Sequence, residues 1–121
     1  MQEFDHEKLT VYQDSIRFVA WADELLGSIQ KSNAIHNQLA RGSTSIPLNI
    51  AEGNGKHTSA DRCRFFDTAR GSTLECAACL DVLVATGRIE SSTAESGKYF
   101  LIGIISMLIG LVRANSEDRD V

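Results

Sequence analysis

Cys76 and Cys79, three residues apart, are the first residues in this sequence whose type and spacing suggest chemistry. A Cys-x-x-Cys redox pair needs a thiolate stabilised at a helix N-terminus, usually behind a strand. These two fall in the middle of a helical pattern, so they read as small core or interface residues. A zinc site drawn from His57, Cys63, Cys76 and Cys79 would require residues 58–62 to fold back across more than a helical turn. Glu3-x-x-His6 matches half of a di-iron carboxylate motif, but no second Glu-x-x-His follows. The glycines in Gly53-Asn54-Gly55-Lys56 follow no strand and precede no Gly-Lys-Ser/Thr, which excludes a phosphate loop. His6, His36 and His57 sit near segment ends and read as surface residues. No catalytic residue, metal ligand or cofactor is expected.

One polar constellation remains. Ser45, Asn49, Glu52 and Lys56 follow 4-3-4 spacing, which places all four on one helix face. They either bind a ligand or partner, or hydrogen-bond across helices or subunits and hold their register. The same stretch contains the only proline, Pro47. Inside a helix a proline costs about 3 kcal/mol and leaves the carbonyl four residues back, that of Ser43, without its N–H. A helical hairpin turning near Lys56 and His57 sets Gly42 opposite Gly71 and Ser43 opposite Arg70. A side chain of the third helix, Arg70 first, or failing it a buried water, is therefore expected to satisfy the freed carbonyl, with Arg64 near Glu52.

Four helical segments must position these residues: about 5–27, 33–53, 58–86 and 92–114, with a frayed tail at 115–121. In the first, Leu9, Tyr12, Ile16, Val19 and Leu26 form one apolar seam, and Val11, Phe18, Ala22, Leu25 and Ile29 a second. Asp5 is its expected N-cap. The second carries Ile35, Leu39, Gly42, Ile46, Ile50 and Gly53 on one stripe, with Gly53 and Gly55 suited to a left-handed C-terminus. The third opens on Thr58 and Asp61, a capping-box spacing, buries Phe66, Ala69, Thr73, Cys76, Leu80 and Leu83, and stops at Gly87. The fourth opens on Ser92-Thr93-Ala94-Glu95. Its seams are Ala94, Leu101, Ile105, Leu108, Val112 and Phe100, Ile104, Met107, Leu111. Short connections make neighbouring helices antiparallel. The expectation is all-α: a single domain over residues 1–121, an up-down-up-down four-helix bundle. The fourth helix has more apolar surface than one core face needs, which predicts a homo-oligomer.

Composition narrows the function. The 121 residues are 43% hydrophobic and 23% charged, ordinary for one globular domain. The net charge of −4 does not draw nucleic acid to the chain as a whole. Residues 31–70, however, hold 6 basic and 3 acidic side chains. Arg41, Lys56, Arg62 and Arg64 are thus the candidate nucleic-acid contacts. The acidic first helix instead suits a protein-interaction adaptor. The N-terminus is acidic and polar, unlike a signal peptide. The uncharged run from Tyr99 to Val112 is shorter than the roughly 20 residues that span a bilayer. A cytoplasmic protein is expected, with no membrane partner and no small-molecule substrate.

Two blocks carry a resemblance. Gln38, Leu39, Arg41, Ser45, Ile46, Pro47, Asn49, Ile50, Ala51, Glu52 and Gly53 match Q-L-R-R-A-x-x-S-I-P-x-N-I-A-E-G. Arg64, Phe65, Ala69, Gly71, Ser72 and Glu75 match R-F-x-x-x-A-x-G-S-x-x-E. Together they resemble the signature of the 23S rRNA intervening sequence protein family, also called the four-helix bundle protein family, over nearly the whole chain. Gly42 stands where alanine is usual, and Asn54 where an aromatic residue is frequent. The resemblance implies a homo-oligomer, typically a pentamer, with no known catalytic activity; RNA or a ribonucleoprotein is the partner that the basic middle segment suggests. It gives Ser45, Pro47, Asn49, Glu52, Gly53, Gly71, Ser72 and Glu75 as motif residues, to which the hairpin register adds Arg70 as a structural one. A similar but strongly basic group assists a reverse transcriptase in diversity-generating retroelements; this acidic chain departs from it.

Overall fold

The computed structural model describes residues 2–116. Four helices follow a short 3₁₀ turn at Asp5–Lys8: α1 (Thr10–Leu26), α2 (Ala34–Asn54), α3 (Ser59–Ala85) and α4 (Ser91–Ala114). α1 packs on α2 and α4, α3 packs on the same two, and among the described residues no contacts join the diagonals. Asn54 at the end of α2 meets Asp5 ahead of α1, and Cys63 near the start of α3 meets the Val112 carbonyl near the end of α4. Neighbours are therefore antiparallel around a square, and the chain is a four-helix, single-domain, all-α bundle. Of the expected frayed tail, residues 117–121 lie outside the described residues.

Helix ends explain most differences from the sequence-based expectation. The first helix begins at Thr10 rather than near residue 5, because Leu9 is extended (φ −77°, ψ 127°). Asp5 is not its N-cap; its carboxylate accepts from Asn54 Nδ2 at 2.9 Å. His6 packs against Phe4 and Tyr12, which tethers the 3₁₀ turn. Thr58 does cap α3, accepting from the Asp61 N–H at 3.1 Å. The expected box at Ser92 does not form, since α4 already begins at Ser91 after Glu90 and has no side-chain cap. Gly53 and Gly55 are not left-handed: Gly53 lies inside α2, and Gly55 has φ −85°. Among the described residues Gly87 alone takes a positive φ, 72°. It closes α3 with paired bonds from the Arg88 N–H to Leu83 and from the Gly87 N–H to Val84, the arrangement that only a residue without Cβ adopts cheaply.

The core is one layer of side chains between the helices. Phe18, Leu39, Ile46, Ile50, Phe66, Leu80, Leu83, Leu101, Ile104, Leu108 and Val112 are essentially inaccessible. Of the two seams on α1, the one through Val11, Phe18 and Ala22 is buried with Leu26, while Ile16 is left 44% exposed. On α4 Ile104 rather than Ile105 enters the core, and Gly97 lies buried between Ala94 and Leu101. α4 is long and apolar enough to match a membrane span by length and composition. Its buried seam nevertheless serves the bundle core.

Close helix approach depends on glycine at Gly97. A Cβ there would fall 2.5 Å from Trp21 Cη2 and 2.7 Å from Leu80 Cδ1. Gly71, by contrast, is exposed on α3 and has nothing within 4 Å of its Cβ position. Gly97→Ala should lower the unfolding free energy by about 1–3 kcal/mol through overpacking. Gly71→Ala should raise it by up to about 1 kcal/mol through helix propensity. Urea denaturation of both variants checks the pair, and equal effects would contradict this packing.

Candidate functional site

α2 and α3 form the most extensive helix pair, and glycines bring them together. A Cβ on Gly53 would meet Phe66 Cε1 at 2.9 Å and Phe65 Cβ at 3.0 Å. A Cβ on Gly42 would meet Cys76 Sγ and Glu75 Oε1, both at 3.1 Å. Ser45 Oγ and Ser72 Oγ share a hydrogen bond of 2.8 Å across the two helices. The observed register is thus about one turn further along α3 than a hairpin folded symmetrically at Lys56 and His57. Gly42 faces Glu75 and Cys76, not Gly71.

That shift changes the account of Pro47. α2 runs unbroken through the buried proline. The residues facing Ser43 lie near 72–76 instead of at Arg70. Arg70 therefore does not reach the Ser43 carbonyl; its Nη2 lies 3.7 Å from Asp67 Oδ1 on its own helix. Among the described residues no side-chain donor bonds that carbonyl. The local hydroxyls instead turn back onto α2: Ser43 to the Ala40 carbonyl at 3.0 Å, and Thr44 to those of Ala40 and Arg41 at 3.1 Å. Asn49 Nδ2 donates to the Ser45 carbonyl at 2.8 Å and to Ser45 Oγ at 3.0 Å.

The polar stripe accordingly divides. Ser45 and Asn49 are half-buried and hydrogen-bonded, and Ser45 crosses to Ser72. Glu52 and Lys56 are exposed, and Lys56 already lies beyond α2. The motif residues that converge are Gln38, Arg41 and Ser45 from α2 with Ser72 and Glu75 from α3. They line a groove of about 290 Å³ whose floor is Gly42. Gln38 was legible only as a motif position, because nothing in the periodicity of α2 says which polar residues face α3, whereas Gly42 already lay on the apolar stripe. Beneath the floor, burial pushes the Cys76 thiol up to about 12, with Cys79 and Glu75 adding to it. Burial, then Glu75, also raises Cys79. Neither thiol supplies a thiolate at neutral pH, and all three cysteines are buried. Among the described residues no cluster of three His, Cys, Asp or Glu side chains forms a metal site.

The basic candidates scatter. Arg62 is a structural clip: Nη1 donates to the Asn54 carbonyl at 2.6 Å, and Nε donates to Asn115 Oδ1 at 2.8 Å. It thereby ties the C-terminal ends of α2 and α4 together, a role the sequence pattern did not suggest. Arg64 lies 3.8 Å from Asp61 and 4.6 Å from the Phe65 ring centroid, and among the described residues it makes no ion pair with Glu52. Lys56 approaches the same ring at 5.1 Å. Arg41 stays exposed, in the groove.

A family model described as 23S rRNA-intervening sequence protein matches residues 7–110. A crystal structure from Bacteroides thetaiotaomicron, described as a protein with unknown function from the S23 ribosomal protein family, superposes with a TM-score of 0.80 at 25% identity. The match covers 85% of this chain and 98% of that one. No curated protein matches the chain.

Arg62→Ala removes charged hydrogen bonds to two helix ends and should cost about 1.5–3 kcal/mol. Arg41→Ala, at an exposed position with no ion pair among the described residues, should stay within about 0.5 kcal/mol of the parent. Chemical denaturation of both variants tests the division, and an Arg62→Ala protein as stable as Arg41→Ala would refute the clip.

Proposed function

The chain belongs to the 23S rRNA-intervening sequence protein family, and from that premise we propose that it acts in the cytoplasm as a self-assembling scaffold for a protein partner. The family is one of non-catalytic intervening-sequence proteins. The observation that carries the assembly is the outward face of α4: Tyr99 is 83% exposed and Ile102 is 68% exposed. Leu74, 59% exposed on α3, extends the patch. An apolar surface of this kind on a small domain marks an interaction site.

The two sides of Ile102 differ. One is an apolar groove of about 390 Å³ shared with Leu74 and Ala77 of α3. The other, about 380 Å³, is shared with Asp14 of α1. Two dissimilar flanks can meet in a head-to-tail contact that closes into a ring, and they can also meet each other across a two-fold axis, so they do not set the number of copies. Five copies are what the family resemblance implies. Light scattering at micromolar concentration should report a homo-oligomer, and Ile102→Glu should give a folded monomer. A clean monomer from the parent chain would overturn this reading.

RNA is the second reading, and the observation favouring it is the pair of cations at Phe65. Two of the six basic residues in segment 31–70 are engaged away from Phe65: Arg62 with helix ends and Arg70 with Asp67. This is why the protein partner comes first. If RNA binds, two phosphate contacts give a salt slope of only about −1.4 on single strands. Lys56→Glu combined with Arg64→Glu should abolish it in filter binding at low salt. Retention unchanged by that double variant would remove RNA from consideration.

A further inference from the structure

The α2–α3 groove has a composition that the scaffold reading does not use. It presents a guanidinium, a carboxylate, a carboxamide and two hydroxyls around a floor without a side chain. Arg41 and Glu75 line the same groove, yet no ion pair within 4.0 Å joins them among the described residues. Nor does either make a side-chain hydrogen bond there. Opposite charges that share a concavity without closing on each other can be bridged by a ligand carrying both signs.

The hydroxyl pair adds a donor. Ser45 Oγ accepts from Asn49 Nδ2 and shares one hydrogen bond with Ser72 Oγ. Two hydroxyls own two O–H donors, and their mutual bond consumes one. Whichever serine donates, the other keeps an O–H with no acceptor among the described side-chain bonds. An anionic group between Arg41 and the serines would receive charge-assisted hydrogen bonds from the guanidinium and that O–H, with the Gln38 amide beside them. A cationic group would face Glu75.

The lining also says what the ligand is not. No aromatic side chain borders the groove, so a nucleobase would find no stacking platform. An apolar ligand would find little apolar surface. A Cβ at Gly42 would lie 3.1 Å from Glu75 Oε1, so the carboxylate would have to give by a few tenths of an ångström.

We propose that this groove binds a small zwitterion of the α-amino acid class, with the α-carboxylate at Arg41 and the free serine O–H and the α-ammonium at Glu75. Isothermal titration of the full chain against the free L-α-amino acids tests it, with the amide and N-acetyl derivative of each as controls. At least one amino acid should bind. Its amide, lacking the carboxylate, and its N-acetyl form, lacking the ammonium, should each bind at least tenfold more weakly. Arg41→Gln and Glu75→Gln, both at exposed positions, should keep the parent's circular dichroism and lose binding by a similar factor. The decisive cross-check is selective: Glu75→Gln should erase the preference for the free amine over the N-acetyl form, and Arg41→Gln the preference for the carboxylate over the amide. No binding across the panel, binding untouched by either variant, or equal binding of blocked and free forms would each overturn the proposal. These outcomes are independent of oligomeric state, so they leave the self-assembly result to stand or fall alone.

Discussion

The structure depends first on how closely α2 and α3 approach. At Gly42 and Gly53 the facing helix stands where a Cβ would be, at 2.9–3.1 Å from the nearest side-chain atoms. In an interior packed to crystal-like density an added Cβ would force these neighbours to give, most of all the Phe66 ring at Gly53. This constraint places Ser45 against Ser72. It leaves an open floor at Gly42 instead of a filled seam. It also brings Arg62 under the end of α2, where its guanidinium takes the carbonyl of Asn54 that the helix leaves without a partner.

α4 answers a different demand. Its buried seam closes the square against α1 and α3, and Gly97 lets Trp21 and Leu80 come close. The helix remains apolar on the far side, where Tyr99 and Ile102 meet water. One helix thus contributes to the core and carries the most exposed apolar surface of the bundle. The Lys98–Asp81 ion pair, at the edge of the groove on the α3 side, places charge at the border of that surface. Together with the polar groove on α2 and α3, this separates an apolar face from a polar one.

Pro47 shows where pattern reasoning stops. The proline and the carbonyl it frees were evident from the sequence, and so was the need for another arrangement in place of the lost bond. The expected donor, Arg70, followed from a symmetric hairpin. The real register is one turn different, and one turn moves a facing side chain by about 5.4 Å along the axis. Arg70 then meets Asp67, while Ser43, Thr44 and Asn49 direct their hydrogen bonds to carbonyls of α2 itself.

By itself the sequence determined the four helices, their antiparallel order and most of the core. Apolar spacing of 3–4 residues and the short connections between segments dictate these locally. The stripes on α2 and α3 appear in the folded chain nearly residue for residue. The two signature blocks also marked the residues that meet in the polar groove. Only the tertiary structure decided which side of each helix met which neighbour. Ile104 displaced Ile105 from the core, Arg62 became a clip, and Gln38, Arg41 and Glu75 came to share a groove with Ser45 and Ser72. Helical periodicity sets the angle at which a side chain leaves its own helix. The axial register between two helices comes from contacts distant in sequence, here the glycine-to-side-chain approaches at Gly42 and Gly53.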